Sequence, residues 1–172
     1  MEVIDYNGTG RWSREALLER YAEYARRFGV SSPRDLNPVE HEERGRRWVY
    51  PVMERVIAGI ESDDPACVEI GVEFIEENAS FTFGMRLKYN TARALRRATL
   101  NDGQRERVRR RVVEMLRVGN LPREYRQYAK LAKKLGLGAW LSEMESGLDL
   151  SNPWVRHYRD YLKGAHVGES RA

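Results

Sequence analysis

The sequence has little of what would staple, anchor or catalyse. One cysteine, Cys67, stands alone among 172 residues, so neither an internal disulfide nor a thiolate zinc set can form. The three histidines, His41, His157 and His166, are too isolated to build a metal site with it. Cys67 lies among apolar residues at helical spacing and reads as a small core residue rather than a nucleophile. No stretch approaches the roughly 20 uninterrupted apolar residues that cross a bilayer. The opening Met-Glu-Val-Ile-Asp lacks the basic and then apolar run of a secretory signal. With the single cysteine, this predicts a reducing, cytoplasmic location and no membrane partner.

Catalytic and cofactor motifs are equally sparse. His41-Glu42-Glu43-Arg44-Gly45 begins like a zinc-protease helix, but Gly45 stands where the second histidine would be. Gly8-Thr9-Gly10 lacks the remaining glycines of a phosphate loop and reads as a flexible leader. The pairs Glu42-Glu43 and Glu76-Glu77 lie in charged segments with nothing to suggest the burial that acid–base chemistry requires. No metal and no cofactor is implied.

What the sequence does have is helical pattern and charge. Its 41% apolar and 33% charged residues are those of a folded domain with extensive solvated helix faces. The length suits one domain over residues 1–164, followed by a polar, disordered tail at 165–172. The prolines are few, six in all, and four of them read as helix starts. Asn37-Pro38-Val39-Glu40, Asp64-Pro65, Pro122 and Asn152-Pro153 fit the rule that proline suits the first helical turn, where its missing N–H costs nothing. Pro51 interrupts the apolar run from Trp48 to Ile60 and predicts a kink, or two helices meeting. Ser13 opens a helix closed by Gly29, and Asn101 with Gln104 forms a capping box for a helix closed by Gly119. Further helices are expected over 82–98, 122–136 and around Trp140. The class is all-α, built from antiparallel helical hairpins.

The chain also compares well with itself. At an offset of 38, Asp64, Ile70, Phe74 and Ile75 fall on Asp102, Val108, Val112 and Val113. At an offset of 37, Arg86, Arg93, Arg96 and Arg97 fall on Arg123, Lys130, Lys133 and Lys134. A helix–turn–helix unit of this length, spanning about residues 62–136, resembles the HEAT and armadillo α-solenoids. That resemblance implies stacked hairpins; an irregular multi-helix bundle with similar neighbouring hairpins is the alternative.

Charge is segregated along the same axis. Residues 1–80 carry a net −7, residues 81–134 a net +12 and residues 135–172 a net −1. At about 100° per residue, Arg123, Arg126, Lys130, Lys133 and Lys134 share one face of their helix. Arg86, Arg93, Arg96 and Arg97 do the same one unit earlier, with Tyr89 beside them as an aromatic that could stack on a base or a guanidinium. If the units stacked as in HEAT arrays, the stripes would merge into one basic patch.

Such a face predicts a non-enzymatic module that binds nucleic acid or another polyanion. The alternatives are an adaptor or inhibitor docking an acidic protein on the same face, and a face neutralised by the protein's own acids, Glu69, Glu73, Glu76 and Glu77. HEAT-like folds also include DNA-repair glycosylases, which need a carboxylate among aromatics. The nearest acids, Asp102, Glu106 and Glu124, suit helix capping and first-turn compensation better. The aromatics Trp48, Tyr50, Trp140, Trp154 and Tyr158 follow helical core spacing and are expected inside.

Overall fold

Among the described residues, four of the eight α-helices start on a side-chain cap from their own N-cap residue. The computed structural model describes residues 1–164, so the expected tail at 165–172 lies outside the described residues. The chain is mostly helical and groups into two compact units, Met1–Thr99 and Leu100–Ala172.

In the N-terminal unit, strand β1 (Glu2–Asp5) leads through a 3-10 turn at Gly10–Trp12 into α1 (Arg14–Arg27). The Ser13 side chain accepts from the Ala16 N–H at the start of α1. Strands β2 (Glu40–Glu43) and β3 (Arg46–Val49) follow, then α2 (Val52–Glu61), α3 (Pro65–Glu77) and α4 (Gly84–Leu95). The sheet order is β1-β3-β2, with Ile4 opposite Trp48 in parallel register and His41 opposite Trp48 in antiparallel register.

This sheet is a correction to the all-helical expectation. Asn37-Pro38-Val39-Glu40 does not cap a helix but enters β2. Arg44 and Gly45, at φ +51° and +76°, make the two-residue turn of a hairpin, the positive-φ pair that matches strand twist. Across it Arg47 pairs with Glu40, and Arg46 Nε reaches the Glu2 carboxylate on β1 at 2.9 Å. Opposite charges therefore face each other across the strands. Pro51 neither kinks nor joins helices. It is the N-cap residue of α2, where its missing N–H is harmless, and the cap comes from afar, Asn7 Oδ1 accepting from the Val52 N–H at 2.8 Å. Nor is the Gly8 segment a loose leader. A Cβ on Gly8 would sit 2.8 Å from the Phe81 ring and from the Trp12 Cβ.

The core of this unit lies where α2, α3 and α4 meet, around Met53, Ile60, Ile70, Phe74 and Leu87, all essentially without exposure. Each such side chain contributes about 1.5–3 kcal/mol by leaving water. Gly59 allows α2 to approach α3 closely, since a Cβ there would overlap Cys67 Sγ. Asp64 caps α3 through the Ala66 and Cys67 N–H groups and also accepts from the Tyr21 hydroxyl at 2.7 Å.

The C-terminal unit contains α5 (Asp102–Arg117), α6 (Tyr125–Leu135), α7 (Trp140–Glu145) and α8 (Pro153–Lys163). The expected capping box is present. Asn101 Oδ1 accepts from the Gln104 N–H at 2.9 Å, and Gln104 Oε1 from the Asn101 N–H at 3.0 Å. Helices α5 and α6 form a hairpin whose open end is held by Arg109, donating to the carbonyls of Leu135 and Gly136 at 2.7 and 2.6 Å. A cation there satisfies the last carbonyls and the negative end of the helix dipole. Tyr125, fully buried, donates to the Val112 carbonyl at 2.9 Å. Helix α8 buries Val155 and Leu162 and is capped by Asn152, whose side chain accepts from the Trp154 and Val155 N–H groups.

Candidate functional site

The two basic helices have different surroundings. Arg86, Tyr89 and Arg93 of α4 and Arg97, in the turn after it, are exposed and follow one another at spacings of three and four. Arg96 is half-buried beside them. The stripe is met by acids of α2. Arg86 is ion-paired with Glu54, and Arg93 and Arg97 line a polar pit of about 220 Å³ together with Glu61, Asn90 and Ile57. Its aromatics are partly taken up as well. The Arg93 guanidinium lies 5.9 Å from the Tyr89 ring centre and that of Arg86 lies 5.2 Å from Phe83, within cation–π range.

On α6 the stripe faces aromatics instead. Arg123, in the turn before α6, and Arg126 are exposed, and Lys130 is half-buried. These three line a cleft of about 580 Å³ whose other wall is Trp154, His157, Tyr158 and Tyr161 of α8. Lys133 stands at its edge, its Nζ 4.2 Å from the Tyr161 ring centre. Lys134, though on the same helix face, is not among the lining residues. Arg123, Trp154 and Tyr158 also border an adjoining recess of about 180 Å³ with Leu121 and Pro122.

The aromatic wall follows from the helix period. With Val155 and Leu162 turned inward, residues 154, 157, 158 and 161 occupy an adjacent arc of roughly 100°. Trp154 sits in the first turn, its backbone N–H bound by Asn152 at 2.9 Å. The rings form an edge-to-face series. Trp154 and His157 are 6.1 Å apart at 83°, His157 and Tyr158 are 5.0 Å apart at 74°, and Tyr158 packs edge-on against buried Tyr125 at 4.8 Å and 80°. Burial pushes the Tyr158 phenol up, partly opposed by the Arg126 charge, so the hydroxyl is a neutral donor at physiological pH.

Trp154 corrects an expectation. Its spacing is that of a core residue, yet it is 64% exposed, and Tyr158 is only half-buried. Helical spacing shows which residues share a face but not which face turns inward, so the α8 wall had no distinguishing signal beyond aromatics recurring at positions 154, 158 and 161.

Two of the four acids proposed as internal counter-charge for the stripe, Glu73 and Glu77, are engaged elsewhere. Buried Glu73 accepts from Arg20 Nη1 at 2.7 Å and from the Tyr24 hydroxyl, with Arg11 at 3.3 Å. Glu77 holds Arg11 at 2.7 Å and the Trp12 indole N–H at 2.8 Å. These contacts tie α3 to α1 and the segment before it.

The α6–α8 cleft has cations, a phenol donor and exposed ring faces, and no carboxylate among its described lining residues. Glu124 is buried nearby in sequence but does not line it. Chemically the cleft can hold anions and planar rings. Burial pushes the Cys67 thiol up, which suppresses thiolate formation. Among the described residues no group of three or more His, Cys, Asp or Glu could hold a metal ion, and no helix is long and apolar enough to cross a membrane. Comparison with protein-family models, with curated proteins and with solved structures finds no match.

Proposed function

We propose that the chain is a non-enzymatic binding module that presents a basic helical face, chiefly that of α6, to nucleic acid or another polyanion. The carrying observation is that Arg123, Arg126 and Lys130 line one cleft with four aromatic side chains and no carboxylate among the described lining residues. Like charges held together without acids lower stability until a counter-charge arrives. A phosphate backbone supplies it with release of condensed counterions. Aromatic faces add an affinity that simple anions do not use.

The hairpins α3–α4 and α5–α6 are, in this reading, two copies of one HEAT- or armadillo-like unit. The caps Asp64 and Asn101 stand 37 positions apart, the same offset that aligns the basic residues.

A second reading has its own support. Exposed Trp, Tyr and Arg side chains in one cleft are the residue types that dominate protein interfaces, so an acidic protein could occupy the same site. A third, a glycosylase-like enzyme, is weakest, because the described lining residues of the cleft include no carboxylate of the kind such chemistry needs.

The test is binding of duplex and single-stranded oligonucleotides at low salt. Affinity that falls linearly on a log–log salt plot, and that collapses when Arg123, Arg126 and Lys130 become Glu, supports the leading reading. No binding at low salt removes it. Nuclease-resistant, stoichiometric association with a defined acidic protein in place of nucleic acid would establish the second.

A further inference from the structure

We infer that the α6–α8 cleft takes the unpaired bases of a single-stranded nucleic acid, stacked against Trp154 and its neighbouring rings while Arg123, Arg126 and Lys130 hold the flanking phosphates. The inference rests on the proposed function and narrows it from polyanions in general to one substrate class.

Three observations carry it. The first is size. About 580 Å³ falls within the roughly 300–1,000 Å³ of small-ligand clefts. That space admits nucleotide-sized groups but not a double helix, whose bases present only their edges to the grooves. A duplex would touch the cationic rim and leave the rings unused.

The second is the state of the rings. Trp154 is 64% exposed, whereas Trp12, the indole of the N-terminal unit's core, is 5% exposed and bonded to Glu77. An exposed indole that contributes little to a core is available as a stacking platform. It is also pre-positioned, since Asn152 fixes the first turn of α8 and Tyr125 backs Tyr158 from the interior.

The third is alternation of chemistry across the cleft. Cations recur at positions 123, 126 and 130 on one wall and aromatics at 154, 157, 158 and 161 on the other. A single strand presents the same two features side by side, a charged backbone and planar faces. Recognition of this kind tolerates any base, because every base has a π face, so little sequence preference is expected.

The experiment uses the full chain and fluorescence anisotropy of labelled oligo(dT) and oligo(U) of about 12 nucleotides, with a duplex of matching length and inorganic polyphosphate alongside. The single strands should bind more tightly than the duplex. Trp154→Ala should weaken single-strand binding by roughly 5- to 100-fold and leave duplex and polyphosphate binding within about twofold. Trp154→Phe, which keeps a ring, should recover most of the loss. Circular dichroism and thermal melting of both variants should match the parent, since the side chain is mainly in solvent. Unchanged single-strand binding in Trp154→Ala, with binding still abolished by charge reversal at Arg123 and Lys130, would overturn the stacking inference and keep the electrostatic reading. Failure of every oligonucleotide and of polyphosphate to bind the parent chain would overturn both.

Discussion

At an offset of 37, Arg86, Arg93, Arg96 and Arg97 in and after α4 align with Arg123, Lys130, Lys133 and Lys134 before and in α6, yet the surroundings of the two helices differ. Arg86 is answered by Glu54, and Arg93 and Arg97 share a pit with Glu61. Arg123 and Lys130, at the positions equivalent to Arg86 and Arg93, look across with Arg126 at Trp154, Tyr158 and Tyr161. The interiors diverge too. At the offset of 37, buried Tyr125 falls on Lys88, a buried lysine whose Nζ donates to Asn78 Oδ1 at 3.1 Å. A repeated cation pattern thus describes a face, while the helix packed beside it decides whether that face is self-neutralised or left with binding capacity.

The largest effect is expected from removing the support behind the aromatic wall. Tyr125→Ala deletes a fully buried ring and its bond to Val112, and should cost about 3–5 kcal/mol in denaturant unfolding. Tyr125→Phe keeps the ring and should cost only about 0.5–1.5 kcal/mol, the net worth of one hydrogen bond, because the Val112 carbonyl keeps its place in the α5 backbone ladder. A Tyr125→Ala protein as stable as the parent would show that α8 is not braced from within.

Next comes the direct exchange between the two faces. Arg123→Glu, Arg126→Glu and Lys130→Glu together should lower oligonucleotide affinity on the order of 100-fold. The matching reversal of Arg86, Arg93 and Arg97 should change it only about threefold, because acids already face those positions. Equal losses would erase the distinction between α4 and α6.

Alkaline titration should sharpen the contrast between the units. Burial, aided by the neighbouring carboxylates Asp64 and Glu73, pushes Tyr21 and Tyr24 up to about 12, whereas unfolded tyrosines ionise near pH 10. The folded state therefore holds protons that the unfolded state releases. The associated stability is intact below about pH 10 and is lost as pH rises towards 12. Burial also pushes Tyr125 and Tyr128 up. Phenolate absorbance should accordingly appear late and together with unfolding, and Tyr21→Phe with Tyr24→Phe should flatten the decline between pH 10 and 12. Normal titration of these tyrosines in the folded protein would contradict the packing.

The smallest effect belongs to Glu54→Gln. The pair with Arg86 is substantially solvent-exposed, so stability should shift by no more than about 1 kcal/mol. Oligonucleotide affinity should rise about twofold as Arg86 gains freedom, and a decrease would place Glu54 in the binding surface.

Much of the helical framework was legible because its signals are local. Ser13, Asp64, Asn101 and Asn152 cap helices within a few residues of themselves. The sheet was not, because its decisive features are non-local or ambiguous. Asn37-Pro38-Val39-Glu40 has the composition of a helix start, while the cap of α2 is lent by Asn7, 45 residues earlier. Arg44-Gly45 was the available turn signal, in a setting of charged rather than alternating apolar residues. At the site, spacing placed Arg123, Arg126 and Lys130 on one helix face but could not supply their partners. Trp154, Tyr158 and Tyr161 have the period of a core stripe, and only tertiary packing, which turns Val155 and Leu162 inward, leaves them on the cleft wall.

The most direct measurement of whether the α6 face binds a phosphate backbone is the salt dependence of single-strand affinity between about 50 and 200 mM. Parent and Arg123→Gln, Arg126→Gln, Lys130→Gln proteins are compared. Loss of three phosphate contacts should reduce the magnitude of the log–log slope by about 2, with affinity lowered most at low salt. An identical slope for the two proteins would contradict the assignment of the binding face to α6.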